Sequence, residues 1–211
     1  MAYNLGDITT SVKTRAKDTS LSDTFIHEII NATQTEVLGH RRYSFMERNL
    51  EGATLSTNAS EYELDEDIQT VDYLALTDTN GDSYELAYVP AASWDAVSDT
   101  AGSPREFTMY GRTLLFNCPA DASYRIVMRY LAAPSVLTLT TDVPDVPETY
   151  RELLVRGALA GVEEYRDNFD FAALHTRKVE QLAEDMTSRY GLLRQNKSAK
   201  RKVWSFRNAS E

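Results

Sequence analysis

A single cysteine, Cys118, in 211 residues excludes an internal disulfide framework and a multi-cysteine zinc site. Histidine is scarce too. His27, His40 and His175 show no His-x-x-x-His spacing, and none stands beside a nucleophile, so each reads as a surface or helix-face residue. No apolar run approaches the ~18 residues that would span a membrane. The segment Met1 to Ile8 lacks the basic and apolar regions of a secretory signal, so none is expected. There is no Gly-rich phosphate loop, no Gly-x-Ser-x-Gly and no Cys-x-x-Cys. An enzyme would need a site assembled only in space, and the sequence calls for no cofactor and no metal. The matches to the glycosylation pattern at Asn31, Asn58, Asn196 and Asn208 carry no weight without a signal, and Asn31 falls within a helical pattern.

Positive charge is also in short supply, but unevenly. Lys and Arg number 22 against 32 Asp and Glu, for a net charge of −10. From Arg194 onward, however, six basic residues face one acid, Glu211. That tail carries +5 and leaves −15 on residues 1–193. An acidic body argues against wrapping nucleic acid, because phosphate neutralisation needs Lys and Arg surfaces, but it permits nucleic acid to slide past.

What is present is an ordered succession of patterns. Residues ~6–17 predict a short helix, with Asp7 near its start and Arg15 and Lys17 near its end, where the dipole favours them. Residues ~22–40 predict a stronger one. Phe25, Ile26, Ile29, Ile30, Thr33 and Val37 fall on one face, with Ser22 or Asp23 as cap. From about Gly52 to Tyr130 the period becomes two. Short strands are expected at Thr54–Ser56, Tyr62–Leu64, Val71–Thr77, Tyr84–Val89, Phe107–Tyr110, Thr113–Phe116 and Tyr124–Tyr130. Asn80-Gly81 marks a hairpin, and Pro90–Val97 a short helical excursion. Short connections imply a mainly antiparallel sheet. Pro147 suits the start of a helix running to about Arg166, on which Gly157 and Gly161 would admit a close backbone neighbour. A second helix, ~170–193, places Phe171, Leu174, Val179, Leu182, Met186, Tyr190 and Leu193 along one side, which completes an αα-hairpin.

The expected fold class is therefore α+β. N-terminal helices (1–50) and a C-terminal helical hairpin (134–193) form a bundle, with an inserted mainly antiparallel β domain (51–133) and an extended tail (194–211).

Within this frame, Cys118 before Pro119 reads as a buried small hydrophobe. Asp78, Asn80 and Asp82 superficially resemble a calcium loop, but the glycine comes two positions too early and strands flank it, so a turn is expected. The acidic run Glu61, Glu63, Asp65, Glu66, Asp67 reads as a solvated strand face. Tyr62, Tyr73, Tyr84, Tyr88, Trp94 and Tyr110 either pack in the sheet core or form an aromatic platform for a carbohydrate or protein ligand. The tail combines Arg194, Lys197, Lys200, Arg201, Lys202 and Arg207 with Trp204 and Phe206. Three readings stand for it: a solvated end, a docking peptide that orders on binding, or nucleic-acid contact by stacking and charge.

Four passages, in this order, carry a resemblance. They are Phe25–Asn31 leading to Arg41-Arg-Tyr-Ser-Phe45; Phe107-x-x-Tyr110-Gly111-x-x-Leu114-x-Phe116-x-x-Pro119; Tyr124–Tyr130 followed by Ala133-Pro134; and Asp142–Leu154 before a helix pair. The chain from ~5 to ~193 resembles the head-to-tail connector (adaptor) proteins of tailed bacteriophages and gene-transfer particles, of the kind with a β domain inserted in a helical bundle, such as tail tubular protein A. Tyr43 is a departure, standing where many relatives carry Trp. The resemblance implies a structural, non-enzymatic protein of the virion neck, assembled in the host cytoplasm. It implies a ring, commonly twelvefold, beneath the portal protein, with a distal tail, nozzle or neck protein as second partner. DNA would pass through the lumen without sequence-specific binding, and no membrane is involved. It further implies that Arg194, Lys197, Lys200, Arg201, Lys202, Trp204, Phe206 and Arg207 dock to the portal. The free chain is expected to be a monomer, since an acidic body repels its own copies.

Overall fold

The computed structural model of the chain describes residues 3–65, 67–94 and 97–192. Its order is two helices, α1 (Leu5–Ala16) and α2 (Asp23–Gly39), then eight strands, then α3 (Arg151–Tyr165) and α4 (Phe169–Tyr190). The fold is α+β.

The helices form where the sequence places them, with instructive differences at their ends. Asn4 and Asp7 make a reciprocal cap on α1: the Asp7 N–H donates to Asn4 Oδ1 at 2.9 Å, and the Asn4 N–H to Asp7 Oδ2 at 3.2 Å. The expected side-chain cap of α2 is not made. Ser22 occupies the cap position without a side-chain hydrogen bond, and Asp23 pairs with Lys13 of α1 at 2.7 Å instead. Pro147 starts a single 3₁₀ turn, Glu148–Tyr150, and α3 proper begins at Arg151.

α3 is the centre of the bundle. Leu153, Leu154, Val155, Ala158, Leu159, Ala160 and Val162 are all buried, and α1, α2 and α4 each pack against it. The close approach expected at its glycines is present. A Cβ on Gly157 would overlap the Thr33 side chain, meeting even Thr33 Cβ at 2.9 Å, and one on Gly161 would come within 2.8 Å of Ile29 Cγ2. On α4, Met186 is buried and Val179, Leu182 and Tyr190 pack on the core, but Phe171 and Leu174 do not. They are 57% and 58% exposed, because the bundle leaves that face of the first turns of α4 uncovered. Leu193 lies outside the described residues.

The strands are β1 (Glu47–Leu55), β2 (Glu61–Glu63), β3 (Ile68–Thr77), β4 (Ser83–Glu85), β5 (Ala87–Tyr88), β6 (Glu106–Tyr110), β7 (Thr113–Phe116) and β8 (Tyr124–Ala132). They form two four-stranded sheets, ordered β1-β8-β3-β4 and β2-β7-β6-β5. Every pair is antiparallel except β5 with β6. β1 begins at Glu47, ahead of the Gly52 at which the alternation becomes visible. The expected strand Tyr84–Val89 is two strands, because the chain changes sheets at the buried Leu86. Its N–H bonds Leu74 in the first sheet, while the next residue, Ala87, bonds Arg105 beside the second. Among the described residues of the expected Pro90–Val97 excursion there is one 3₁₀ turn, Ala91–Ser93. β8 alternates as expected: Tyr124, Ile126, Met128 and Tyr130 are buried, while Arg125 and Arg129 are exposed.

The connector between β8 and α3 is held by the bundle. Asn31 Nδ2 donates to the Leu137 carbonyl at 2.9 Å, and the Leu137 N–H returns to Asn31 Oδ1 at 2.8 Å. One turn on, the buried Gln34 donates to the Ser135 carbonyl at 2.8 Å and accepts from the Asp145 N–H at 3.1 Å. The N–H groups of Leu5 and Gly6 at the start of α1 bond the carbonyls of Asp142 and Thr140.

Candidate functional site

The docking residues expected from the sequence, Arg194, Lys197, Lys200, Arg201, Lys202, Trp204, Phe206 and Arg207, lie outside the described residues. Their point of departure is described, and it is well built. α4 ends at Tyr190, and Gly191 bridges to Tyr43 as Leu192 donates its N–H to the Arg42 carbonyl at 2.9 Å. Tyr43 stacks on Phe45 at 5.1 Å, Phe45 meets Tyr190 edge-on at 5.6 Å, and Tyr190 meets Tyr150 at 6.2 Å. The Tyr150 hydroxyl donates to Asp185 at 2.6 Å; burial, then this bond, push its pKa up. Arg42 pairs with Asp72 of β3 and so ties the end of α2 to the first sheet. Residues from three distant passages thus lock the root of the tail to both modules. The sequence showed Arg41–Phe45 and Tyr150 as separate fragments, with nothing to indicate that they meet.

Beside this root lies a groove of about 830 Å³. Its floor is α3, at Gly157, Ala160 and Gly161, and its walls are α2 and α4. It exists because α2 and α4 both pack on α3 without extended contact between them. Four acids line it: Glu36, Glu164, Glu180 and Glu184. His40 and Arg41 stand at the end nearest the root. Arg41 donates to Thr187 at 2.6 Å. The four carboxylates make no ion pair among the described residues. The spacing of Glu180 and Glu184 on α4 was visible in the sequence, but their position across from Glu36 was not.

The tyrosines of the β module are divided between the two sheets, and Trp94 follows the 3₁₀ turn Ala91–Ser93. Tyr62 and Tyr84 pack against the core. Tyr84 bonds Ser103 at 2.8 Å and lies under the Arg105 guanidinium at 4.1 Å. Tyr73 is on the first sheet, whereas Tyr88 and Tyr110 are on the second. Tyr88 leans on Phe107 at 5.4 Å, leaving Tyr110, 74% exposed, at a strand end.

The remaining candidates have structural settings. Asp78 accepts from the N–H groups of Asn80 and Asp82 at 2.8 and 2.9 Å, so its carboxylate organises the β3–β4 turn, and Gly81 takes φ +92° there. Cys118 is buried, and burial pushes its thiol pKa up. His175 is held below the usual histidine range, by burial first and then by Arg156, whose guanidinium lies 3.2 Å from Nδ1. His27 is half-buried on α2, and His40 is exposed at its end. Among the described residues no cluster of His, Cys, Asp and Glu is placed to hold a metal ion, and no helix is long and apolar enough to cross a membrane.

The described residues are thus a helical bundle carrying a β module, with the end of α4 anchored beside an acidic groove. The comparison with known families is more definite. The family described as SU10 adaptor protein matches residues 3–203, nearly the whole chain, and the chain belongs to that family. This agrees with the head-to-tail adaptor resemblance and makes the chain a structural component of a bacteriophage virion. No curated protein matches the chain.

Proposed function

We propose that this protein is the head-to-tail adaptor of a tailed phage, forming a twelvefold ring beneath the portal and joining it to the tail or next neck protein. The observation that carries this reading is the family match over residues 3–203. In this reading residues 1–50 and 134–193 form the ring-building bundle, 51–133 is the inserted module, and 194–211 is the portal-docking tail. The protein acts without catalysis, through its contacts.

Charge supports the reading. With −15 on residues 1–193, a ring lumen presents phosphate with repulsion, and DNA passes without being held. The same charge keeps free copies apart at low ionic strength, so that assembly depends on the portal as template. The basic aromatic tail has the Arg and Trp anchors that dominate protein interfaces.

Cryo-EM of the native particle tests the proposal. A twelvefold ring of this chain below the portal, with residues ~195–211 ordered against it, is the expected result. A complete neck lacking this chain would reject it. A chain ending at residue 194 is expected to fold and fail to join the portal, and normal particle assembly by that truncation would remove the docking role of the tail.

A further inference from the structure

We propose that in the free protein the groove between α2 and α4 holds the basic aromatic segment Lys200–Arg207 of the chain's own tail. This concerns the isolated chain and stands whatever the tail binds in a particle.

Three observations converge on it. The first is charge. Glu36, Glu164, Glu180 and Glu184 line the groove without an ion-pair partner among the described residues, and the segment supplies Lys200, Arg201, Lys202 and Arg207. Four like charges around one depression repel each other, and a cationic segment relieves that repulsion. Arg41 and His40, the basic residues lining the groove, sit at its near end, leaving the stretch along Glu180 and Glu164 acidic.

The second is shape and polarity. Between the charged side chains, part of the floor and walls is small or apolar, with Ala32, Gly157, Ala160, Gly161, Val179 and Ala183 among them. A volume of about 830 Å³ is in the range that encloses a drug-sized ligand, which is room for an indole and a phenyl ring. Trp204 and Phe206 are the rings the segment offers, and both are costly to leave in water.

The third is the tether. The chain leaves the bundle where the Leu192 N–H bonds Arg42, next to the Arg41 and His40 that line the groove. The α2 wall from Ile29 to Gly39 is about 15 Å long at 1.5 Å per residue, with His40 and Arg41 just beyond its end. Residues 193–199 reach up to about 23 Å when extended, so Lys200–Arg207 can lie along the groove without strain. A tether this short gives an effective concentration on the order of millimolar, so a weak contact is enough to populate the docked state.

Trp204 is the reporter. The other tryptophan, Trp94, is replaced by Phe so that emission comes from Trp204 alone. In the full chain, Trp204 emission is expected to be blue-shifted and about threefold less quenched by acrylamide than in a free peptide of residues 195–211; high salt should abolish the difference. Glu180→Lys with Glu184→Lys should raise quenching to the peptide value, with an unchanged circular dichroism spectrum. Quenching in the parent chain equal to that of the free peptide would overturn the proposal. So would equal peptide affinity for the parent and the doubly substituted chain, both ending at residue 194; about a tenfold loss is expected. Protection that disappears on about a hundredfold dilution would assign the groove to a second copy's tail and overturn the own-chain form. Portal capture by the doubly substituted full chain is scored separately, so failure of the groove and failure of portal docking are distinguishable.

Discussion

Gln34 shows what one residue does in this fold. It is fully buried on α2, and its side-chain amide satisfies two backbone groups of the connector, the Ser135 carbonyl and the Asp145 N–H. Truncation to alanine leaves both without their partner in a part-buried site and empties the buried space of the side chain. Gln34→Ala should therefore cost about 2–4 kcal/mol, read as a lower midpoint in chemical denaturation. A loss under about 0.5 kcal/mol would show that water or a connector shift replaces the amide. Asn31, one turn earlier, makes the equivalent pair of bonds to Leu137. Neither role was legible in the sequence. Asn31 attracted notice only as a glycosylation match, and a polar residue in a helical pattern does not reveal a loop folded over it.

At the scale of elements, the α2–α3 contact depends on two glycines that behave differently. Gly157 faces the β-branched Thr33, whose short side chain has no rotamer that clears a new Cβ, so the helices must separate. Gly161 faces Ile29, which is β-branched as well: its Cγ2 and Cδ1 would lie 2.8 and 2.9 Å from the new Cβ, but its own Cβ is farther off, so the overlap is smaller than at Gly157. Alanine gains about 1 kcal/mol of helix propensity at either position. Overpacking of about 1–3 kcal/mol outweighs that gain by more at Gly157 than at Gly161. Gly157→Ala is thus expected to lower the melting temperature by several degrees, and Gly161→Ala to lower it by less. Equal effects at the two sites would refute the distinction. This contact was legible, because two small residues four apart on one helix face announce a close neighbour. The partner's identity was not.

At the scale of the whole molecule, ion pairs fasten the helices to each other, charged hydrogen bonds hold the turn within the connector, and together they set the pH response. Glu152 of α3 is raised by burial, but hydrogen bonds from Arg15 of α1 and from Arg156 overcome this and hold it below its ordinary value. Asp18 is lowered by Ser20 and then by Arg166, Asp23 by Lys13, and Asp142 by the N–H groups of Leu139 and Thr138. A carboxylate lowered in the folded state contributes its full stability above its unfolded pKa of about 4 and loses it as pH falls through the lower folded value. His175, also lowered, contributes fully above about 6.5 and starts to lose its contribution as pH drops below that. Thermal stability should therefore decline gently below about pH 6.5 and steeply below about pH 4. His175→Gln should remove the gentle phase, and Glu152→Gln should reduce the steep one. A melting temperature flat from pH 7 to 3 would contradict this account.

The order of helices, strands and helices, the alternation of β8 and the acidic body with a basic tail followed from the sequence alone. Each rests on local periodicity or on composition, which neighbours in the chain determine. The division of the strands into two sheets, the sheet change at Leu86, the connector held by Asn31 and Gln34, and the exposure of Phe171 and Leu174 were decided by tertiary structure. So was the groove that gathers Glu36, Glu164, Glu180 and Glu184. These depend on which faces of separate elements meet, more than a hundred residues apart in the case of the connector and the groove, and no local pattern encodes that. An apolar residue at helical spacing reads as buried in the sequence, but it is buried only if another element arrives to cover it.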